Sequence, residues 1–463
     1  MRVSSQGKMP LHLPSPRFLR HADRGKVNGR VVLVSPPSSY SSNHPVVPMT
    51  PLGSTCLAAS LEAADVDVRI MDLTFTFQQG IDIGAVARSV LRLEPSVVGV
   101  SSYTSTIPTT YRLAEMLRQE RPRLPIVVGG AHVSALPERT LRECEAVDAV
   151  VAGEGDQVFP ELARRLIREG RSADVSGMNG VLVRKGNELS GNPSPVYVDD
   201  VDSLPLPARH LLDLPTYIRH SYHEKAKRWP IANMVTSRGC PFSCVFCSRS
   251  NNGRRYRPRS PEKVLEELKE LRRSGFREVQ IVDDNFTADR ERVLEICRMI
   301  RSERLDMSFC TPNGIRVDSV DEEVLTEMYR AGFYAIAFGA ESGDDAVLEK
   351  IMKGITSADI LRAVQAAKRI GFYVSLFSII GLPGSSVESE RRTLQLVRES
   401  GADSTTASVC TPYPGSPLWE MVKDRVRDIP WERYNESDVS NPIYLADGLS
   451  PEQLQFWLKE AQG

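Results

Sequence analysis

Three cysteines in one short loop, Cys240, Cys244 and Cys247 of Gly239-Cys-Pro-Phe-Ser-Cys-Val-Phe-Cys-Ser248, carry the clearest chemistry in the chain. A cubane iron–sulfur cluster is normally held by four cysteine thiolates. This loop supplies three, and the nearest other cysteines in sequence, Cys144 and Cys297, stand well away from it. One iron of such a cluster is left without a protein ligand, and an open metal position is where a substrate or cosubstrate binds. A zinc knuckle would need a fourth ligand, and no His or Cys follows at finger spacing; a redox dithiol is the other alternative. The spacing favours the cluster.

Strands alternating with helices must present this loop. The first such region runs over 29–170. Its apolar strands are Arg30–Ser35, Val66–Met71, Val97–Ser101, Pro125–Gly130 and Ala149–Ala152, with helical spacing between them. Apolar strands alternating with helices predict an α/β, doubly wound (Rossmann-like) parallel sheet covered on both faces. Ligands bind beyond the carboxyl ends of such strands. Those ends carry Ser101-Ser-Tyr103-Thr, Gly129-Gly130-Ala-His132 and Gly153-Glu154-Gly155, where glycines allow a large planar ligand near the backbone. Residues 171–230 read as a linker or strap, with Leu204-Pro-Leu-Pro-Ala-Arg209 in extended chain. Residues 231–424 carry six strand–helix units, which predicts a partial (β/α)6 TIM-type barrel with chemistry at the carboxyl ends of its strands. The cysteine loop follows the first of these strands. The tail, 425–463, with Trp431, Tyr434, Tyr444 and Trp457, is expected to cover the barrel mouth.

Composition excludes several classes. The chain has 463 residues, enough for two or three domains, and its 41% hydrophobic and 25% charged residues are ordinary for a globular protein. A net charge of −1 gives no electrostatic reason to expect a nucleic-acid partner. Eight cysteines, five of them scattered singly, do not form a disulfide framework and fit a reducing cytoplasm. No apolar run approaches the ~20 residues of a membrane span. Residues 1–28 carry Arg17, Arg20, Arg24 and prolines but no apolar stretch, so they read as a flexible leader and not a secretory signal.

The cysteine loop, the preceding glycine-bearing sheet and the order of the two domains together resemble the cobalamin-dependent radical S-adenosylmethionine enzymes, in their methyltransferase-like branch. The resemblance spans about 29–424. It implies a [4Fe-4S] cluster on Cys240, Cys244 and Cys247 whose open iron chelates S-adenosylmethionine. It also implies cobalamin (methylcobalamin) at Ser101, Tyr103, Gly129, Gly130, His132, Gly153 and Glu154. S-adenosylmethionine is then expected at Phe246, Asp283, Asp284, Glu341, Ser342 and Gly381, while Arg316 and Asp318 match the family's Arg-x-Asp. One departure stands out: the loop after the first strand lacks the Asp and Gly of the Asp-x-His-x-x-Gly cobalt-ligating pattern, so His44 is expected to be a loop histidine and cobalt to have no protein imidazole.

The activity so implied is methyl transfer from S-adenosylmethionine, through methylcobalamin, to an unactivated carbon, or less often phosphorus, of a small biosynthetic intermediate, as in natural-product (antibiotic) biosynthesis. The expected partners are that small molecule and an external low-potential electron donor such as flavodoxin or ferredoxin, with no nucleic acid and no membrane. A non-methylating member performing oxidative cyclisation, ring contraction or rearrangement is the alternative. A non-enzymatic cobalamin or iron–sulfur binding protein has no use for an open iron.

Overall fold

The computed structural model describes residues 27–36, 49–73, 82–220, 226–434 and 442–462. Its first unit begins with β1 (Val27–Ser35), α1 (Leu52–Ala63), β2 (Val66–Asp72), α2 (Ile83–Arg92), β3 (Val97–Ser101) and α3 (Ile107–Glu120). It continues through β4 (Ile126–Gly129), α4 (Ala131–Ala135), α5 (Pro137–Glu143), β5 (Ala149–Val151) and α6 (Gly155–Glu169). The sheet order is β2-β1-β3-β4-β5, all parallel. Unbroken apolar runs such as Val31–Val34 and Ile126–Val128 are buried because helices cover both faces. Ala58, Leu61, Phe159 and Leu162 pack on one face, and Val86, Leu113, Leu117 and Leu141 on the other. The strand order reverses between β1 and β3, which places the ligand crevice at their carboxyl ends. His44 lies outside the described residues.

The sheet does not stop at residue 170. Strands β6 (Val181–Lys185) and β7 (Glu188–Asn192) extend it antiparallel beyond β5. The cause is local: Val181, Leu182 and Val183 are buried, and Gly186 at φ +62° turns the hairpin. The connecting chain then passes between the units. Ala208 N–H donates to Thr55 O on α1 at 3.0 Å, and Arg209 donates to Asn233 O at 3.0 Å. Helix α7 (Leu214–His220) ends this passage, with the Tyr217 hydroxyl on Asp72.

The second unit starts with β8 (Ile231–Met234) and the short pair β9 (Ser237–Arg238) and β10 (Arg257–Pro258). Then come α8 (Pro261–Arg273), β11 (Glu278–Ile281), α9 (Arg290–Ser302), β12 (Ser308–Ile315), α10 (Glu322–Arg330) and β13 (Phe333–Glu341). The rest is α11 (Asp345–Lys350), α12 (Ser357–Ile370), β14 (Tyr373–Ile380), α13 (Val387–Ser400), β15 (Ser404–Val409), α14 (Pro417–Val426) and α15 (Pro451–Gln462). Side-chain caps set several helix starts: Ser260, Asp289, Asp321, Thr356 and Ser386 each accept from a first-turn N–H. Six parallel strands run in the order β8-β11-β12-β13-β14-β15, a partial barrel with β8 and β15 at its edges. The two edges meet through their carboxyl-end loops: Leu418 N–H donates to Val245 O at 2.8 Å and Ser248 Oγ to Pro414 O at 2.9 Å.

The tail divides between the two units. Trp431 and Tyr434 join Trp419 and Val426 in the apolar core on one face of the first sheet. Helix α15 lies on β14 and β15 beside α13, with Leu454, Trp457, Leu458 and Ala461 buried against Ala407 and Val409. Among the described residues no helix is long and apolar enough to cross a membrane.

The glycines at the ends of β4 and β5 are held to different standards. Gly130 (φ +100°) and Gly153 (φ +82°) have no room for a Cβ, which would meet Ser102 O at 2.5 Å and Val196 O at 2.3 Å, whereas at Gly129 the nearest atom is 3.5 Å away. Gly153→Ala and Gly130→Ala are therefore expected to destabilise the apo-protein by about 3 kcal/mol each through strain and backbone displacement. Gly129→Ala should leave the unfolding transition within about 0.5 kcal/mol of wild type; chemical denaturation of the three variants checks the contrast.

Candidate active site between the two sheets

The cysteine loop leaves β8 through Thr236, Ser237 and Arg238 and returns through β10. Gly239 (φ +79°) is required at its start, because a Cβ there would meet Arg255 O at 2.3 Å. The base of the loop is tied by Asp283, whose buried carboxylate accepts from Thr236 Oγ1 at 2.6 Å, Ser237 Oγ at 2.5 Å and the Thr236 N–H. Burial raises the Asp283 pKa above the usual carboxylate value. This carboxylate is fully engaged within the protein, so Asp283 braces the loop and is not free to contact S-adenosylmethionine.

Within the loop Cys240 is half-buried, Cys244 buried and Cys247 exposed. The Cys247 thiol hydrogen-bonds Cys244 and holds the Cys244 pKa down to about 6 against burial, with the Lys353 and Arg316 charges assisting. Arg249 donates to Cys244 O at 3.3 Å and also to Phe242 O, which fixes the loop's carbonyls. Among the described residues no three Cys, His, Asp or Glu side chains converge on a single metal ion. Three ligands of a cubane bind three separate irons and need not converge on one point. Three cysteines on one loop, with Arg316 and Lys353 beside Cys244, fit such a cluster.

At the end of β13 Glu341 sits in the left-handed region (φ +64°), a strained conformation for a glutamate. Its Oε1 accepts from the buried Lys353 Nζ at 2.7 Å, a partner the sequence did not reveal. Gly339 makes room for the pair, since a Cβ there would lie 2.5 Å from Glu341 Oε1 and 3.0 Å from Lys353 Nζ. Lys353 Nζ also stands 5.9 Å over the Phe246 ring. The pair therefore borders the cysteine loop and offers both a cation and a carboxylate, the donor set an amino-acid end group needs. Ser342 Oγ is turned inward, accepting from Asp344 N–H at 3.1 Å and facing Thr393 Oγ1 at 3.3 Å, so its hydroxyl is structural. Gly381 (φ +79°) follows β14, its N–H donating to Glu390 Oε1 at 3.0 Å, and a Cβ there would meet Leu454 at 2.9 Å. Asp284 is exposed to the cleft and accepts from Asn252 Nδ2 at 3.2 Å.

From the other side of the cleft Tyr103, at the end of β3, stands 67% exposed. Desolvation raises its pKa, and the charge of Asp284 on the second unit adds to the shift. Ser101 is half-buried beside it, and a Cβ at Gly129 would make only ordinary contact, 3.5 Å from Val151 O. An exposed ring at the sheet's switch point fits the edge of a large planar cofactor.

Two residues expected at cobalamin are buried within the protein. His132 is 1% exposed, with Nδ1 3.2 Å from Thr104 Oγ1 and its ring edge-on to Trp431 at 4.8 Å between centroids. Burial lowers its pKa to about 4. The tail's Trp431 thus covers the imidazole, which is a packed neutral histidine. Glu154 is likewise buried. Arg257 binds both its oxygens, at 2.6 and 2.8 Å, Val198 N–H donates to Oε2 at 2.8 Å, and Arg238 lies 3.3 Å away. Arg238 also pairs with Asp156 at 2.7 Å. Two carboxylates of the first unit therefore meet two guanidiniums flanking the cysteine loop. Ser250 Oγ adds a bond to Ala131 O at 3.2 Å. One weak signal for this network lies in the run Arg254-Arg-Tyr-Arg-Pro-Arg259, whose arginines are buried only at Arg257 and Arg259.

Residues 44–163 match the family described as B12 binding domain and residues 234–397 the Radical SAM superfamily. An uncharacterized methyltransferase of Pyrococcus horikoshii is 32% identical over 436 residues, 93% of this chain and 91% of that protein. An anaerobic magnesium-protoporphyrin IX monomethyl ester cyclase of Rubrivivax gelatinosus is 28% identical over 375 residues, 80% of this chain and 65% of that protein. The structure of the radical S-adenosylmethionine methyltransferase TsrM from Kitasatospora setae, with cobalamin and a [4Fe-4S] cluster bound, has the same fold. It superposes with a TM-score of 0.72 at 20% identity, covering 93% of this chain and 85% of that one.

The buried histidine has a pH consequence. Its folded pKa of about 4 lies below the ordinary 6.5, so between these values the unfolded chain binds a proton that the folded one does not. Stability is accordingly lost as pH falls from 6.5 towards 4, by up to about 3 kcal/mol. Denaturation of apo-protein at pH 7 and pH 5 should show this loss, and His132→Gln should flatten it.

Proposed function

The chain belongs to the cobalamin-dependent radical S-adenosylmethionine methyltransferases, and we propose that it methylates an unactivated carbon of a small biosynthetic intermediate held in the cleft between its two sheets. When bound, the [4Fe-4S] cluster with S-adenosylmethionine supplies hydrogen abstraction, and cobalamin supplies the methyl group. The observation that carries the reading is the joining of the two strand-end surfaces, where Ser250 of the cysteine loop bonds Ala131 O at 3.2 Å and Arg257 binds Glu154 at 2.6 Å.

In this reading Cys240, Cys244 and Cys247 hold the cluster. Lys353 and Glu341 orient the carboxylate and amino groups of S-adenosylmethionine, Phe246 and Gly381 border its adenine, and Asp284 closes the cleft beside it. Ser101, Tyr103 and Gly129 border the corrin, with Gly130 and Gly153 shaping the strand ends. An external low-potential donor such as flavodoxin or ferredoxin supplies the electron in this reading.

A second reading, a non-methylating cyclisation, draws on the 28% identity to the cyclase. Product analysis separates the two. Methyl transfer requires S-adenosylhomocysteine, 5′-deoxyadenosine and a product heavier by one methyl group; 5′-deoxyadenosine alone, with no methylated product, selects the cyclase-like reading.

Changing Cys240, Cys244 and Cys247 together to Ala should abolish the iron–sulfur absorbance and all 5′-deoxyadenosine formation while cobalamin still loads. Retention of iron in that variant would defeat the ligand assignment. Lys353→Met should weaken S-adenosylmethionine binding at least about tenfold in equilibrium dialysis, the loss of one charge-assisted bond, with iron content unchanged.

A further inference from the structure

Arg316 follows β12 and is almost fully buried against the cysteine loop. Its guanidinium is held from three directions. Nε and Nη2 donate to the two Asp318 oxygens at 2.8 and 2.7 Å, and Nη2 donates to Lys353 O at 2.6 Å. The plane stacks on the Phe242 ring, 3.8 Å from its centroid. What remains is the Nη1 edge, directed at Cys244 Sγ at 3.8 Å. Arg249, the guanidinium on the loop itself, is committed to backbone carbonyls.

We propose that Arg316 tunes the reduction potential of the cluster, an inference that rests on Cys244 being one of its ligands. Reduction adds one electron, taken from an external low-potential reductant, to the cluster and its sulfurs, and no bond of Arg316 forms or breaks. A fixed N–H and positive charge beside a ligating sulfur stabilise the extra negative charge and raise the potential. Burial keeps water from screening the interaction, and the bidentate Asp318 moderates it. The rigid clasp on Asp318 and the Lys353 carbonyl makes the N–H···S approach a fixed feature, where a mobile surface arginine would average it away.

The test is potentiometry of the reconstituted protein followed by electron paramagnetic resonance, with dithionite as reductant and no S-adenosylmethionine present. At the potential where half the wild-type cluster is reduced, Arg316→Gln should lower the reduced-to-oxidised ratio about tenfold, equivalent to ~59 mV for a one-electron couple. Asp318→Asn, which removes the counter-charge, should shift the ratio the other way. Iron and sulfide content of the same samples reports the ligand assignment separately from the potential. An iron-loaded Arg316→Gln protein with the wild-type potential overturns the proposal. Should that variant fail to take up iron, Asp318→Asn decides: an upward shift supports the proposal and an unchanged potential overturns it.

Discussion

A buried, charge-balanced contact between the two units governs the geometry of the site. Glu154 and Asp156 stand where β5 passes into α6, and Arg257 and Arg238 stand on the two strands that open and close the cysteine loop. Withdrawing four charges from water costs several kcal/mol per ion, and only close, saturated geometry offsets it. That geometry is present, since Arg257 takes both Glu154 oxygens and also reaches Val198 O at 2.6 Å. Apolar side chains of equal volume would hold the units together as well. What they would not do is fix the register, because dispersion contacts slide and a bidentate guanidinium does not. Two cofactors on separate units must be aligned closely for a reaction between them, and this network sets that alignment.

The same economy of position recurs at the end of β13. Glu341 occupies a left-handed conformation that costs about 1–3 kcal/mol for a non-glycine residue and is retained because Lys353 anchors its side chain. Gly339, two residues earlier, gives up its side chain to make the space. The strain, the missing Cβ and the lysine form one arrangement beside Cys244, whose thiol is held near pKa 6 in part by that lysine.

Much of this was legible in the sequence. Apolar runs separated by helical spacing are enough to identify parallel strands covered on both faces, and six consecutive units order themselves because right-handed crossovers admit little else. The cysteine loop was legible because its ligands are local. Partners set by tertiary approach were not. Lys353 follows a different element from Glu341, and Arg257 lies in a basic run whose alternate burial becomes visible only once β10 pairs with β9. The hairpin β6–β7 is weakly marked in the sequence because its buried run, Val181–Val183, is short, its partner β7 is largely exposed, and both lie in a proline-bearing connector. His132 misled for a related reason: Trp431, which encloses it, comes from the far end of the chain.

The glycine motifs of the first unit therefore act through the fold. Gly130 lets β4 turn tightly beneath Ser102, and Gly153 lets the chain pass Val196, which donates and accepts backbone bonds with residues 152–154. Neither position needs a ligand to explain it. Yet each turn delivers something to the cleft. The β4 turn leads into the segment whose Ala131 carbonyl receives Ser250 from the cysteine loop, and the β5 turn places Glu154 against Arg257. A glycine signature at the strand ends reports a cofactor site here because it shapes the surface on which the second unit docks, and the cleft between them is a product of that docking.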